Sequence, residues 1–375
     1  MKKIQLLFIL TTTYFLNLSV VAAGPIHCFK PTSTKPVYNT AAPSVSDWTA
    51  KCSILCICSQ IFERDAIFEA LNSIYRCKFV KKVVIEQLSI NIFLCRNHYI
   101  AVAVSGKNLV PTAIRLSQLF FVLPNIQKVF FIGIGGSLNP NLSIGDVYIP
   151  FTLACHSVGY MYNMEGTACL SRYLSYQDNF KSFSPSNVEV GVDRDDNIIR
   201  TNQLACPAEF WNQVVAALKD FQAQFTVHCR GTAVSGTTFV DNAEYCQYLF
   251  ETYNADVIDM ESFAVACTCY EFQKHFCIIR GISDFAGRLN SNNDTVNAID
   301  KGGRSIAVNN AANVFRHILV KLLNVDRQNT VSSPCLQFGV HRMLTSPSKL
   351  VVPKMLHLAK NKRSLNAICS MNKLK

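Results

Sequence analysis

The sequence predicts an α/β protein of three layers, αβα, around a central mostly parallel or mixed sheet. Three observations predict it. Short apolar runs alternate along the chain with segments of helical apolar spacing, the pattern of strands joined by crossover helices. No internal repeat interrupts that alternation. Residues 256–287, D-V-I-D-M-E-S-F-A-V-A-C-T-C-Y-E-F-Q-K-H-F-C-I-I-R-G-I-S-D-F-A-G, read as strand, helix, strand. Acidic residues there follow the carboxyl ends of two buried strands, the edge where open α/β sheets bind ligands.

The elements follow in order. Residues 53–58 are a buried strand, and Ala66, Ile67, Phe68 and Leu71 give a short helical face behind it. Residues 79–88, 90–95 and 99–105 read as three successive strands, and 111–121 as a helix with proline in its first turn. Residues 128–134 are a strand ending in Gly133-Ile134-Gly135-Gly136, and 146–149 another, stopped by Pro150. Residues 151–206 are polar, aromatic and aperiodic, which predicts an insertion or lid. A helix is expected at 207–221, a strand at 225–234 and a helix at 243–253 after the turn G-T-T-F-V-D-N. In the last helix, 305–323, Ile306, Val308, Ala311, Val314, Phe315, Ile318, Leu319 and Leu322 follow helical spacing.

With 375 residues, 49% hydrophobic and 16% charged, the chain can bury a large core. Residues 1–23 read as a signal peptide: Lys2 and Lys3, an apolar run, then Val21-Ala22-Ala23 as a small-residue cleavage site. Residues 24–50 read as a Pro/Ser/Thr-rich linker, 51–325 as the folded domain, and 326–375 as a basic, poorly ordered tail. The secretory pathway is expected, ending outside the cell or in a vacuole, with no membrane span once the signal is removed. Of the net charge of +11, two belong to Lys2 and Lys3 and eight to the tail, leaving +1 on the body. That excludes a nucleic-acid footprint on the folded part. Sixteen cysteines in such a chain predict some disulfides. Cys155 with Cys169 and Cys206 with Cys229 are the better candidates, while cysteines inside apolar runs fit a core role. No Cys/His spacing indicates a zinc site and no G-x-G-x-x-G is present, so no metal or cofactor is expected. His156 and His228 are isolated and read as structural.

Four segments in order, N-P-N-L-S-I-G-D-V-Y-I-P (139–150), F-V-D-N-A-E-Y (239–245), V-I-D-M-E-S-F-A-V-A (257–266) and I-I-R-G-I-S-D-F-A-G (278–287), resemble the plant bark storage protein group. That group belongs to the nucleoside phosphorylase superfamily and is related to methylthioadenosine/S-adenosylhomocysteine nucleosidases. The resemblance spans residues 51–323, most specifically in the second half. It implies a nucleoside phosphorylase-like fold and a small-molecule purine nucleoside as ligand. Phosphate as a second ligand and a homo-oligomer stay open. Phe239 would stack on the purine while the backbone of Val240 reads its edge. Met260 and Glu261 would hold the ribose. Asp284, supported by Ser283, would meet N7 of the base. Arg280 would lie near the attacking water or phosphate. Phe62-Glu63-Arg64-Asp65-Ala66 resembles the nucleosidase motif Met-x-x-Glu-Ala, which makes Asp65 the carboxylate that activates water. Gly106, Gly133 and Gly135 would form the anion or water site.

The chemistry needs these residue types. Breaking a C–N glycosidic bond builds positive charge on the sugar and negative charge on the base. A protonated carboxyl neutralises the second, and a carboxylate across the ring activates the nucleophile. Two positions depart from the nucleosidases. Asn108 stands where they have a second glycine, and Ile134 where they have a serine. Both departures weaken anion binding more than purine binding. Two functions follow: cleavage of the purine nucleoside N-glycosidic bond, or a storage or nucleoside-binding protein with little turnover.

Overall fold

The computed structural model describes residues 49, 51–161, 183–193, 195–287 and 301–325. The expected signal peptide, the tail, Cys169 and all of the expected linker except Thr49 lie outside them. The strands are β1 (Cys52–Cys58), β2 (Cys77–Ile85), β3 (Leu88–Cys95), β4 (His98–Val104), β5 (Lys128–Ser137), β6 (Val147–Ile149), β7 (Thr152–Cys155), β8 (Gly159–Met161), β9 (Phe183–Pro185), β10 (Val188–Val192), β11 (Ile198–Thr201), β12 (Leu204–Ala205), β13 (Val227–Cys229), β14 (Thr232–Ser235), β15 (Ala255–Asp259) and β16 (His275–Asp284). The helices are α1 (Ile61–Asn72), α2 (Leu109–Val122), α3 (Ala208–Ala217), α4 (Ala243–Tyr253), α5 (Ser262–Glu271) and α6 (Lys301–Val325).

Twelve of these strands form one mixed sheet in the order β12-β7-β14-β15-β5-β1-β4-β3-β2, with β16 joining β5 and β6, and β6 joining β13. β5 is its hub. It runs parallel to β1 and β16, while its glycine-rich end lies antiparallel to β15. β1 and β16 are buried on both faces, as parallel strands covered by helices must be. α1 packs with α6, and α2 with α5, against the sheet. This is the expected three-layer αβα fold. β2 is an edge strand whose exposed Lys78, Lys81 and Lys82 discourage pairing with another chain.

Four expectations need correcting. Residues 225–234 are two strands, because Gly231 turns the chain at φ +62° and sends β13 to β6 and β14 to β7 and β15. Residues 151–206 are not all insertion, since β7 pairs in parallel with β14 inside the main sheet. Cys206 and Cys229 are free thiols, whereas Cys77 and Cys95, opposite each other on β2 and β3, are joined. Ile306 faces out at 54% exposure, while the other apolar residues expected along α6 are buried.

Candidate functional site

One cleft opens at the carboxyl ends of β1, β5, β15 and β16. The strand ends themselves and the segments just beyond them line it.

The loop after β1 delivers Glu63. It is the third residue of α1 and folds back over the helix start. Its Oε2 accepts from Ser59 N and Oγ, both at 2.8 Å, and from Gln60 N at 2.9 Å. Its Oε1 accepts from Ile134 N at 3.1 Å. A carboxylate at the third position of a helix does this because the first-turn N–H groups lack helical partners. Glu63 is buried and lines the cleft. Asp65, the residue expected to activate water, does not. It pairs with Arg64 at 2.6 Å and its side chain is 55% exposed. Two further positions turn a side chain about 200° around a helix, so Asp65 points away from the cleft.

β15 ends in Asp259, and the residues after it set the sugar side. Asp259 is buried and ionised. Burial opposes its charge, but Arg280, Ser235 and Ser262 outweigh burial and hold its carboxyl below the usual range. Its Oδ1 accepts from Ser235 Oγ at 2.6 Å and from the backbone N of Glu261 and Ser262 at 3.0 Å. That brace fixes the turn that carries Met260 and Glu261 into the cleft. Glu261 Oε1 accepts from Asn108 N at 2.9 Å. Its Oε2 lies 3.5 Å from Arg280 Nη2, while Arg280 Nε donates to Asp259 at 2.7 Å. The guanidinium is therefore committed mainly to Asp259. Burial pushes the Glu261 carboxyl up to about 7, against the pull of Arg280 and with help from the Asp259 charge.

β16 ends in Ser283 and Asp284, both buried and both in the cleft wall. Ser283 Oγ donates to Asp284 Oδ2 at 2.7 Å, and Ala286 N donates to Oδ1 at 3.0 Å. Opposite them, the turn before α4 presents Phe239, 54% exposed, and Val240, buried. Asn242 caps α4 by accepting from Tyr245 N at 2.8 Å, which fixes where that turn ends.

Arg280, Gly133 and Gly106, expected in the site, are not among the residues that line the cleft, while Gly135 is. Arg280 is fully buried, with its guanidinium 4.1 Å from the Phe131 ring centroid. Among the described residues its Nη1 has no hydrogen-bond partner. A Cβ added to Gly133 would fall 2.4 Å from that Nη1 and 2.4 Å from Glu63 Oε1. The two polar atoms thus face each other across Gly133, no farther apart than twice that distance. Gly106 turns the chain at φ +85° toward Asn108. Asn108 holds φ +87° and ψ 160°, a region that is essentially glycine's own. Its side chain does not enter the cleft. Oδ1 accepts from Leu109 N, and Nδ2 donates to Thr237 O at 3.2 Å.

Phe239, Val240, Met260, Glu261, Ser283, Asp284 and Gly135 are therefore brought together as expected, and Asp65 is not. Sequence reasoning missed Glu63, Asp259, Lys107 and Arg304, all of which line the cleft. The signal for Glu63 was the Gln60-x-x-Glu63 spacing of a capping box. His156 is a packing residue. Burial pushes its imidazole down to about 4, its Nδ1 lies 3.0 Å from Tyr245 Oη, and its ring sits under Gly236.

Residues 82–320 match the model of the Phosphorylase superfamily. The chain belongs to that superfamily. Among curated relatives, it is 29% identical over 161 residues to the aminodeoxyfutalosine nucleosidase of Helicobacter pylori, across 43% of this chain and 57% of that protein. It is 39% identical over 57 residues to the 5′-methylthioadenosine/S-adenosylhomocysteine nucleosidase of Staphylococcus aureus, across 15% of this chain and 25% of that one. The matched stretch thus spans little more than half the length of the first relative. Among solved structures, a mutant Helicobacter pylori nucleosidase with 5′-methylthioadenosine in its active site overlays with a TM-score of 0.53 at 18% identity, covering 72% of this chain and 99% of that one. The Neisseria meningitidis nucleosidase with methylthio-immucillin-A gives 0.52 at 21%, covering 71% and 98%. These overlays establish the shared fold.

Proposed function

We propose that the chain hydrolyses the N-glycosidic bond of a purine nucleoside. One observation carries the proposal: a ring, a sugar-side carboxylate, a base-side carboxyl and a third carboxylate, namely Phe239, Glu261, Asp284 and Glu63, line one cleft although they come from four separate segments. The base lies against Phe239, with Asp284 at N7. Glu261 accepts from ribose hydroxyls. Glu63, in place of Asp65, takes the proton of the attacking water. A carboxylate has about four lone-pair sites, and Oε1 uses only one of its own on Ile134, so it keeps acceptor capacity facing Arg280 Nη1. Water adds to C1′, the C–N electrons pass to the base, and Asp284 protonates that base.

Water is favoured over phosphate as nucleophile. A buried carboxylate at that place repels an oxyanion, and Ile134 offers no side-chain hydroxyl there. The two curated relatives described above are nucleosidases by name. We also place the protein in the secretory pathway, on the reading of residues 1–23. The Cys77–Cys95 bond supports an oxidising compartment. The plant bark storage group is the second reading, a binding protein with little turnover. Asn108, held in a glycine conformation beside Glu261, favours it.

The test is adenine release from adenosine and 5′-methylthioadenosine, with and without phosphate, by the wild type and D284N. Phosphate-independent release by the wild type, lost in D284N, supports hydrolysis. Saturable adenine binding with no release supports the second reading.

A further inference from the structure

Two basic side chains in the cleft have no task in the scheme above. Lys107 is exposed and Arg304 half-buried, and both line it. No ion pair joins either to Glu63, Asp259, Glu261 or Asp284, and among the described residues neither has a hydrogen-bond partner. The four acids are accounted for otherwise. Asp259 is neutralised by Arg280, Glu63 is held by N–H and O–H donors, and Glu261 and Asp284 face sugar and base. A purine and a ribose carry no negative charge, so neither gives these cations a partner.

Lys107 stands on the sugar side of the cleft and Arg304 beside the strand end that carries Ser283, so the two frame the cleft from different sides. Lys107 directly precedes Asn108, whose backbone N–H holds the Glu261 carboxylate. Arg304 lies in the first turn of α6. The glycine before it, Gly303, packs so closely on Ser283 that an added Cβ would lie 3.0 Å from the Ser283 carbonyl. A neutral thioether at the 5′ carbon would leave both cations idle. An oxyanion there would pair with them, and guanidinium is suited to a phosphate or carboxylate.

We infer that Lys107 and Arg304 form a subsite for an oxyanion on the 5′ end of the substrate, so that the preferred ligand is a purine nucleoside bearing a 5′-phosphate or 5′-carboxylate. This rests on the nucleoside reading. The same chemistry could serve free phosphate, and the experiment separates the two.

Base release is measured from adenosine 5′-monophosphate, adenosine and 5′-methylthioadenosine, each with and without inorganic phosphate. The expected result is a kcat/KM for the 5′-phosphate roughly ten-fold above that for adenosine, with no need for added phosphate. In K107M/R304M that ratio falls toward one. General damage to the fold would lower both rates and leave the ratio in place. A second readout needs no variant: rising sodium chloride raises KM for the 5′-phosphate and leaves KM for adenosine unmoved. Equal or faster cleavage of the neutral nucleosides overturns the inference while leaving the nucleosidase reading intact. So does activation of adenosine cleavage by free phosphate, which would assign the cations to a co-substrate. Release from none of the three substrates removes the nucleosidase reading itself.

Discussion

Glu63 and Asp65 are two residues apart and have opposite fates. Position three of a helix folds its carboxylate back onto free N–H groups, while position five turns outward to Arg64. E63Q should lower kcat by roughly 10²–10⁴-fold, the range for a lost general base. D65N should leave it within about two-fold, since Asp65 makes one exposed ion pair. Steady-state kinetics on the pair of variants checks this. Glu261 sets a pH dependence. Burial raises its carboxyl from 4.5 to about 7, so below that it is protonated, loses its charge and accepts more weakly from the ribose hydroxyls. The predicted kcat/KM profile rises with pH and levels off above about 7, and E261Q removes that limb. The stability sign is opposite. The folded state holds an extra proton between about 4.5 and 7, so stability falls as pH rises through that window. Urea midpoints across pH should show the fall in the wild type and a flatter profile in E261Q. Phe239, Glu261 and Asp284 were legible in the sequence because each lies in a contiguous stretch at a strand end. Glu63 was obscured by choosing the acid nearest the family motif over the acid that the cap geometry selects.

Among the elements, α6 sits on β16 with almost no gap. A Cβ at Gly281 would fall 2.0 Å from the Ala307 carbonyl, and backbone cannot move aside as a side-chain tip can. G281A should therefore cost about 1–3 kcal/mol or more, read as a lowered urea midpoint. The start of α2 stores strain of the opposite kind. N108G relieves the glycine-only conformation, a strain of order 1–3 kcal/mol, and loses one cap contact, so a net gain of about 1 kcal/mol is expected. Loss of stability in that variant would mean that the strap from Asn108 to Thr237 outweighs the strain. Most helices and strands could be read from periodicity. Periodicity reads through the break at Arg230–Gly231 as one strand, although Arg230-Gly231-Thr232 interrupts the apolar residues there and a lone glycine in a strand pattern marks a bulge or turn. The strand Thr152–Cys155 was hidden for another reason. Its partner, Thr232–Ser235, lies about 80 residues away, and a four-residue strand shows little alternation of its own.

For the molecule as a whole, the sheet brings the ends of β1, β5, β15 and β16 to one place, and the chemistry follows from that convergence. No local pattern encodes it. The fold class was legible because alternation is a property of the whole chain, whereas the meeting of Glu63 with Gly133 and Arg280 depends on the parallel β1–β5–β16 register. The most direct test of that convergence is a single-turnover reaction of excess enzyme with a purine nucleoside in ¹⁸O-labelled water, with the released sugar analysed by mass spectrometry. One ¹⁸O in the sugar from the wild type, none from an E63Q protein that still binds the nucleoside, is the predicted result. A phosphorylated unlabelled sugar, or labelled sugar formed equally fast by E63Q, would contradict a water activated by Glu63.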